Sequence, residues 1–353
     1  MGGIKKARLI FTRRAGINAL ILAFVALYPV AAGAYRTDVL AKTLALVILA
    51  LSVDLLWGYT GILSLGQAVP FGLGAYIAAI SDNVSRGIPD YMVTYGITQL
   101  PAAFMPLTVP AVGVALAVAV PAALSYLIGR LLLSGRVRGV FVSLITMAVA
   151  NVATVYINNA QKFTGGSNGI GDITRPAPFG HALSIYGNYY FVMAAAVLAY
   201  AFCYYIGSSR LGRVLGAIRA NENRAVFIGY RVSDYKVFIY VVSAALAAIA
   251  GMLYARTTGM VSPAVTGIRL STLAVIWVAV GGRGNLTGAV AGCLALNGME
   301  RFAAGFLGDA WELAVGAILL LIVFFMPDGV IGAVLRFRPL RPAARAKGGG
   351  AGG

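Results

Sequence analysis

Charge is scarce in this chain: Asp, Glu, Lys and Arg make up 11% of its 353 residues, and it carries one histidine and two cysteines. Each scarcity excludes something. With 60% hydrophobic residues and a mean hydropathy of +0.85, the chain has too little polar surface for a soluble globular domain, and it is predicted to be an all-α integral membrane protein. Cys203 and Cys293 fall in different apolar runs, which suits packing better than a disulfide or a metal pair. The lone His181 lies in a loop, so neither a metal site nor a histidine-based catalytic triad is expected. No G-x-x-x-x-G-K-[ST] phosphate loop occurs, so the chain does not itself hydrolyse ATP. Ionisable residues inside apolar runs are few as well. Lys42 and Asp54 stand toward the ends of one run, and Glu300 and Arg301 lie deeper in another, where they read as interface residues that snorkel or meet a neighbouring helix. That scarcity argues against a proton- or sodium-driven carrier and against a strongly charged solute.

What is present is apolar length. Stretches near the roughly 20 residues that cross a bilayer number about ten. They are Gly16 to Tyr35, Val39 to Trp57, Ser64 to Ile80, Phe104 to Gly129, Gly139 to Ile157, Tyr189 to Gly207, Val237 to Thr257, Gly267 to Val280, Thr287 to Phe306 and Trp311 to Met326. The third and eighth are short and interrupted by glycine, as broken or re-entrant helices are.

Basic residues outnumber acidic ones, 28 against 11, and the excess sits in short segments between apolar runs. This pattern reflects topology rather than a nucleic-acid surface. With a cytoplasmic N-terminus, most of the basic residues fall on the inner side, and both termini are predicted inside. Three regions follow: a basic cytoplasmic N-terminus (1–15), a transmembrane domain (16–332), and a basic, disordered cytoplasmic tail (333–353) whose charges can meet anionic lipid. Ala32-Gly33-Ala34 resembles a signal cleavage site, but nine further apolar segments favour an uncleaved first helix.

The densest charged island between apolar runs is Ser208 to Lys236, which holds Arg210, Arg213, Arg219, Arg224, Arg231 and Lys236. Leu215 to Ala225 is predicted as a short helix closed by Gly229. Arg219, Asn221, Glu222, Asn223 and Arg224 then present polar groups. Two readings stand side by side: a coupling helix for an external ATPase, or an ordinary positive-inside loop.

Motifs along the chain carry a resemblance. WGYTGILSLGQ (57–67), FGLGAY (71–76), RGVFVSLITMA (138–148), FTGGSNGI (163–170), GRVLGAIRANENRAVFIGY (212–230), VAVGGRGNLTGAVAG (278–292) and FFMPDGVIG (324–332) occur in this order. Together they resemble the permease subunits of ABC importers for branched-chain amino acids and for urea or short-chain amides. WGYTG, IPDYMVTYGITQLP (88–101) and DAWELAVGAILLLIVFFMPDG (309–329) are more similar to the urea branch, although Gln67 stands where many relatives carry histidine. The resemblance implies an inner-membrane permease paired with a second, related permease, two ATPase subunits that bind ATP and Mg, and a periplasmic binding protein. It also implies that Glu222 to Gly229 sits in an ATPase cleft. Urea or a small amide is the expected solute. Alternatives are branched-chain amino acids, or a passive channel for a small neutral solute.

Uncharged polar residues at membrane depth complete the reading. Gln67, Thr146, Asn151 and Asn297 are candidate solute contacts, although such side chains also bond neighbouring helices. Ser243, Ala247 and Gly251, like Gly288 and Gly292, recur at four-residue spacing and are expected to pack helices closely. GYTGILSLGQA (58–68) is faintly echoed by GGRGNLTGA (281–289), and paired glycine-rich breaks of this kind point to a central pathway built from repeated units.

Overall fold

A computed structural model describes residues 16, 21–133, 139–177, 181–307, 310, 313, 316 and 317. The basic N-terminus, the tail and FFMPDGVIG lie outside the described residues, as does nearly all of Trp311 to Met326. Helices make up almost everything that is described, and strand pairing among these residues is limited to an isolated bridge between Ile170 and Val261.

The first apolar segment includes α1 (Ile21–Ala31). α2 (Ala34–Val53) follows at once and ends in a π turn, Asp54–Gly58. α3 (Ala68–Arg86) starts four residues later than the sequence suggests, because Ser64 to Gln67 are unwound. After the short α4 (Asp90–Thr94) and a 3₁₀ turn (Ala102–Thr108), α5 (Pro110–Leu133) begins. Pro106 and Pro110 explain why Phe104 to Thr108 does not join it: a proline lacks the N–H that a helix interior needs. α6 (Val140–Asn159) leads through the single turn α7 (Gln161–Thr164) to α8 (Ile185–Ser208), whose N-terminal Ser184 hydroxyl caps the Gly187 N–H at 3.1 Å. Then come α9 (Arg210–Ala220), α10 (Glu222–Phe227), α11 (Val232–Thr258), α12 (Ile268–Gly281) and α13 (Leu286–Leu307).

The predicted single helix Leu215 to Ala225 is therefore two helices. Asn221 is extended (φ −161°, ψ 101°), and its Oδ1 accepts the Arg224 N–H at 3.0 Å. Asparagine is a preferred cap, and here it ends one helix and starts the next.

α2, α3 and α11 form the buried centre. At 27 residues α11 is about 40 Å long, enough to pass through the roughly 30 Å hydrocarbon layer. It meets α3 at backbone distance: a Cβ built on Gly74 would lie 2.4 Å from the Ala248 carbonyl oxygen, and one on Gly251 would lie 1.8 Å from that of Phe71. α5, α6 and α8 surround this centre and turn most of their apolar surface outward. A soluble protein could not leave Leu131, Phe141, Val152 and Leu198 so exposed, but a bilayer solvates them.

α12 and α13 match the predicted eighth and ninth segments to within one residue at each end and are bent by 118° across residues 282–285. Gly288 lies against the Gly281 carbonyl and Gly292 against that of Trp277, so the two arms touch through backbone. Five described helices are long and apolar enough to cross a membrane, or six if the bent pair is one span. At the end of the bundle away from α9 and α10, Asp82 bonds the Thr174 N–H (2.8 Å) and hydroxyl (2.6 Å) and pairs with Arg86 (3.0 Å). These contacts tie α3 to the loop that follows α6.

Candidate functional site

Two places combine irregular backbone with polar side chains. The first is the unwound segment between Gly61 and Gln67, which lies among the buried helices. Backbone groups there have no helix or sheet partner, and leaving them unbonded in a membrane interior costs several kcal/mol each. Local hydroxyls take two of them, Thr60 Oγ1 accepting the Ile62 N–H (3.2 Å) and Ser64 Oγ the Gly66 N–H (3.3 Å), and side chains from other helices supply more. The Leu65 N–H donates to Thr146 Oγ1 of α6 (3.1 Å), Ser143 Oγ of α6 donates to the Leu63 carbonyl (2.7 Å), and the Ala68 N–H donates to Ser271 Oγ of α12 (2.9 Å). Gln67 joins two more helices. Its Nε2 donates to Ser243 Oγ of α11 (2.6 Å) and to Ser52 Oγ of α2 (3.4 Å), while Ser243 donates to the Ser52 carbonyl (2.6 Å).

The candidate solute contacts are thus dispersed. Gln67 and Thr146 meet at the unwound segment, both buried. Asn297 is also buried but bonds back to its own helix, at the Cys293 carbonyl (2.9 Å). Asn151 is exposed on α6. Ser243, expected only to pack, is instead part of the polar knot, and Ala247 and Gly251 continue its buried face of α11. Replacing Gln67 with leucine is expected to lower the stability of the purified protein by about 1–3 kcal/mol, the cost of leaving buried partners unbonded. A thermal melt in detergent reads this directly, and an unchanged midpoint would show that the knot is not held by Gln67.

The second place is the hairpin of α9 and α10. Ser209 caps α9, and Ile218, Ala225 and Val232 form a small core that fixes α10 against α9 and the start of α11. An ion pair between Glu222 and Lys236 (2.7 Å) adds a second tie to α11. Gly229 closes the hairpin at φ +96°, in the left-handed region that favours glycine.

Of the polar residues expected to contact an ATPase, Asn223 and Arg224 are exposed, and Asn221 is used as the cap. Glu222 is paired within the chain, and Arg219 reaches inward, its Nη1 donating to the Gly58 carbonyl. The residues thrust outward are apolar: Val226, Phe227 (90% exposed) and Ile228 (71%). Sequence reasoning passed over them, although three consecutive apolar residues inside a basic segment between apolar runs were a signal. Such a knob beside Arg224 is the composition of a protein-binding hot spot: an aromatic anchor with a cation at its rim.

The sequence matches the family described as branched-chain amino acid transport system / permease component over residues 35–324. It is similar to the high-affinity branched-chain amino acid transport system permease protein LivM of Salmonella typhimurium, with 24% identity over 89% of this chain and 74% of that protein. A probable branched-chain amino acid transport permease protein LivM of Methanocaldococcus jannaschii is 26% identical over 80% of this chain and 89% of the relative. The permease protein BraD of the high-affinity system of Pseudomonas aeruginosa is 33% identical over a shorter stretch, 36% of this chain and 42% of its own. No solved structure matches. These names all concern branched-chain amino acids, and none supports the urea branch that WGYTG and the segments 88–101 and 309–329 favoured.

Proposed function

This chain belongs to the branched-chain amino acid transport permease family, and we propose that it is the membrane-spanning subunit of an ATP-driven importer for branched-chain amino acids. The observation that carries the reading is the family match, which runs through nearly all the described helices. The solute is a zwitterion without net charge, which suits an interior whose polar groups are mainly hydroxyls and amides. α9 and α10 face the cytoplasm and dock in an ATPase subunit through Val226, Phe227, Ile228 and Arg224. ATP and Mg are held by the two ATPase partners.

The pairing with a second, related permease has its own support. Two differently named permeases of the high-affinity system of Salmonella typhimurium, LivM and LivH, both match this chain. The working unit is then a pair of related permeases in the inner membrane, supplied by a periplasmic binding protein.

Reconstitution into vesicles with the second permease, the ATPase subunits and the binding protein tests the proposal. ATP-dependent uptake of leucine, isoleucine or valine is expected, with urea and acetamide left outside. Uptake of urea without leucine would overturn the solute, and full uptake without ATP would overturn the mechanism.

A further inference from the structure

One buried carboxylate belongs neither to the unwound segment nor to the docking knob. Asp54 is fully buried where α2 passes into its π turn. Its Oδ1 accepts the Gly284 N–H at 2.6 Å, and Oδ2 has no hydrogen-bond partner among the described residues. A buried carboxylate is costly without compensating charge, and π turns concentrate at functional positions.

The docking hairpin brings a charge of opposite sign close to this carboxylate. Arg219 of α9 donates to the Gly58 carbonyl, at the end of the same π turn, and interacts electrostatically with Asp54. Gly58 touches Gly284 so closely that a Cβ on Gly58 would lie 2.5 Å from Asp54 Oδ1 and 2.6 Å from the Gly284 nitrogen. A Cβ on Gly284 would in turn lie 3.2 Å from Arg219 Nη1. On the same turn, the Arg283 guanidinium stands 6.0 Å from the ring centre of Trp57. The two glycine-rich segments that echo each other in the sequence therefore meet in space, and Arg219 closes over their contact. No side chain separates the Gly58 and Gly284 backbones, so movement of one must displace the other, and the Arg219 side chain links both to α9.

We propose that Asp54 and Arg219 are positioning residues for energy coupling, which carry displacement of the docking hairpin to the α12–α13 turn. Arg219 moves with α9 and pulls on the Gly58 carbonyl, while the Asp54 carboxylate keeps the 282–285 turn seated on the end of α2. Through this junction the ATPases shift the α12–α13 hairpin against the central helices. The inference rests on the importer reading above.

The test uses the full reconstituted complex and measures uptake and ATP hydrolysis in the same vesicles. Asp54→Asn keeps the shape and an oxygen for the Gly284 N–H but removes the charge, and Arg219→Lys keeps a charge but loses the planar reach. Each is expected to raise the ATP consumed per solute moved by about 5- to 150-fold, the range a typical coupling free energy supplies. The double variant is expected to be no worse than the more severe single one, because both act on one junction. A merely structural anchor would lower both activities together and leave their ratio unchanged, and that result overturns the proposal. If Asp54→Asn prevents assembly, the ratio in Arg219→Lys decides alone. Failure of the importer reading is distinguishable, because the unsubstituted complex would then show no ATP-dependent uptake.

Discussion

Replacing Phe227 with aspartate is expected to abolish ATP-driven uptake while leaving the permease folded. The ring is 90% exposed, so the fold gains almost nothing from it, and its removal creates no cavity. α10 itself is held from the other side, by Ala225 against Ile218 and Val232 and by the Glu222–Lys236 pair. On the proposed reading, Phe227 is the anchor for a pocket of the ATPase. Losing such an anchor costs about 2–4 kcal/mol of binding, or roughly 30- to 1000-fold in affinity. Aspartate adds the desolvation of a charge in an apolar cleft. Co-purification with the ATPase subunits and their stimulated hydrolysis should both be lost, with an unchanged elution profile for the permease. Phe227→Leu should retain part of each activity. Wild-type coupling in Phe227→Asp would remove α10 as the docking element.

Substitution of Gly251 by valine is expected to have the opposite signature, collapsing the fold before function can be measured. The Cβ alone would lie 1.8 Å from the Phe71 carbonyl oxygen, which belongs to a helix backbone and cannot rotate aside. α3 and α11 would have to separate, and the Gln67–Ser243 bond that joins them two turns away would stretch with them. Overpacking costs typically about 1–3 kcal/mol, and losing the buried polar contacts places the total at about 4 kcal/mol or more. Aggregation on size-exclusion chromatography, or a melt lowered by many degrees, is the readout. Gly216 is the control. A Cβ there meets nothing within 4 Å, so alanine at 216 should be neutral or slightly stabilising. Equal tolerance at both positions would refute close packing of α3 on α11.

Reading by apolar length found the helices because crossing a bilayer imposes a length and composition that survive sequence divergence. It placed α6, α8 and α11 within a few residues of their ends. It misjudged Ser64 to Gln67, where an apolar average hid the loss of helical hydrogen bonds, and the partners that restore them lie too far along the chain to be paired by inspection. Asn221 was legible as a polar residue but not as a cap, since the apolar periodicity runs through it. Candidate docking residues were sought in charge, following the positive-inside pattern, whereas Glu222 pairs with Lys236, Arg219 bonds the Gly58 carbonyl, and Phe227 is left exposed. Asp54 shows the limit most clearly. Its partner Gly284 is 230 residues away, and nothing local announces the contact.

The unwound segment also sets a schedule for biogenesis. Leu65 must wait 81 residues for Thr146, Gln67 must wait 176 for Ser243, and the Ala68 N–H must wait 203 for Ser271. At the roughly 5–20 residues per second of protein synthesis, the last of these acceptors leaves the ribosome about 10–40 s after the donor. During that interval the start of α3 needs water, lipid headgroups or the insertion machinery as its hydrogen-bond partner. The nascent chain therefore cannot seat α3 in its final place when that helix first emerges, and the centre of the bundle is among the last parts to be completed.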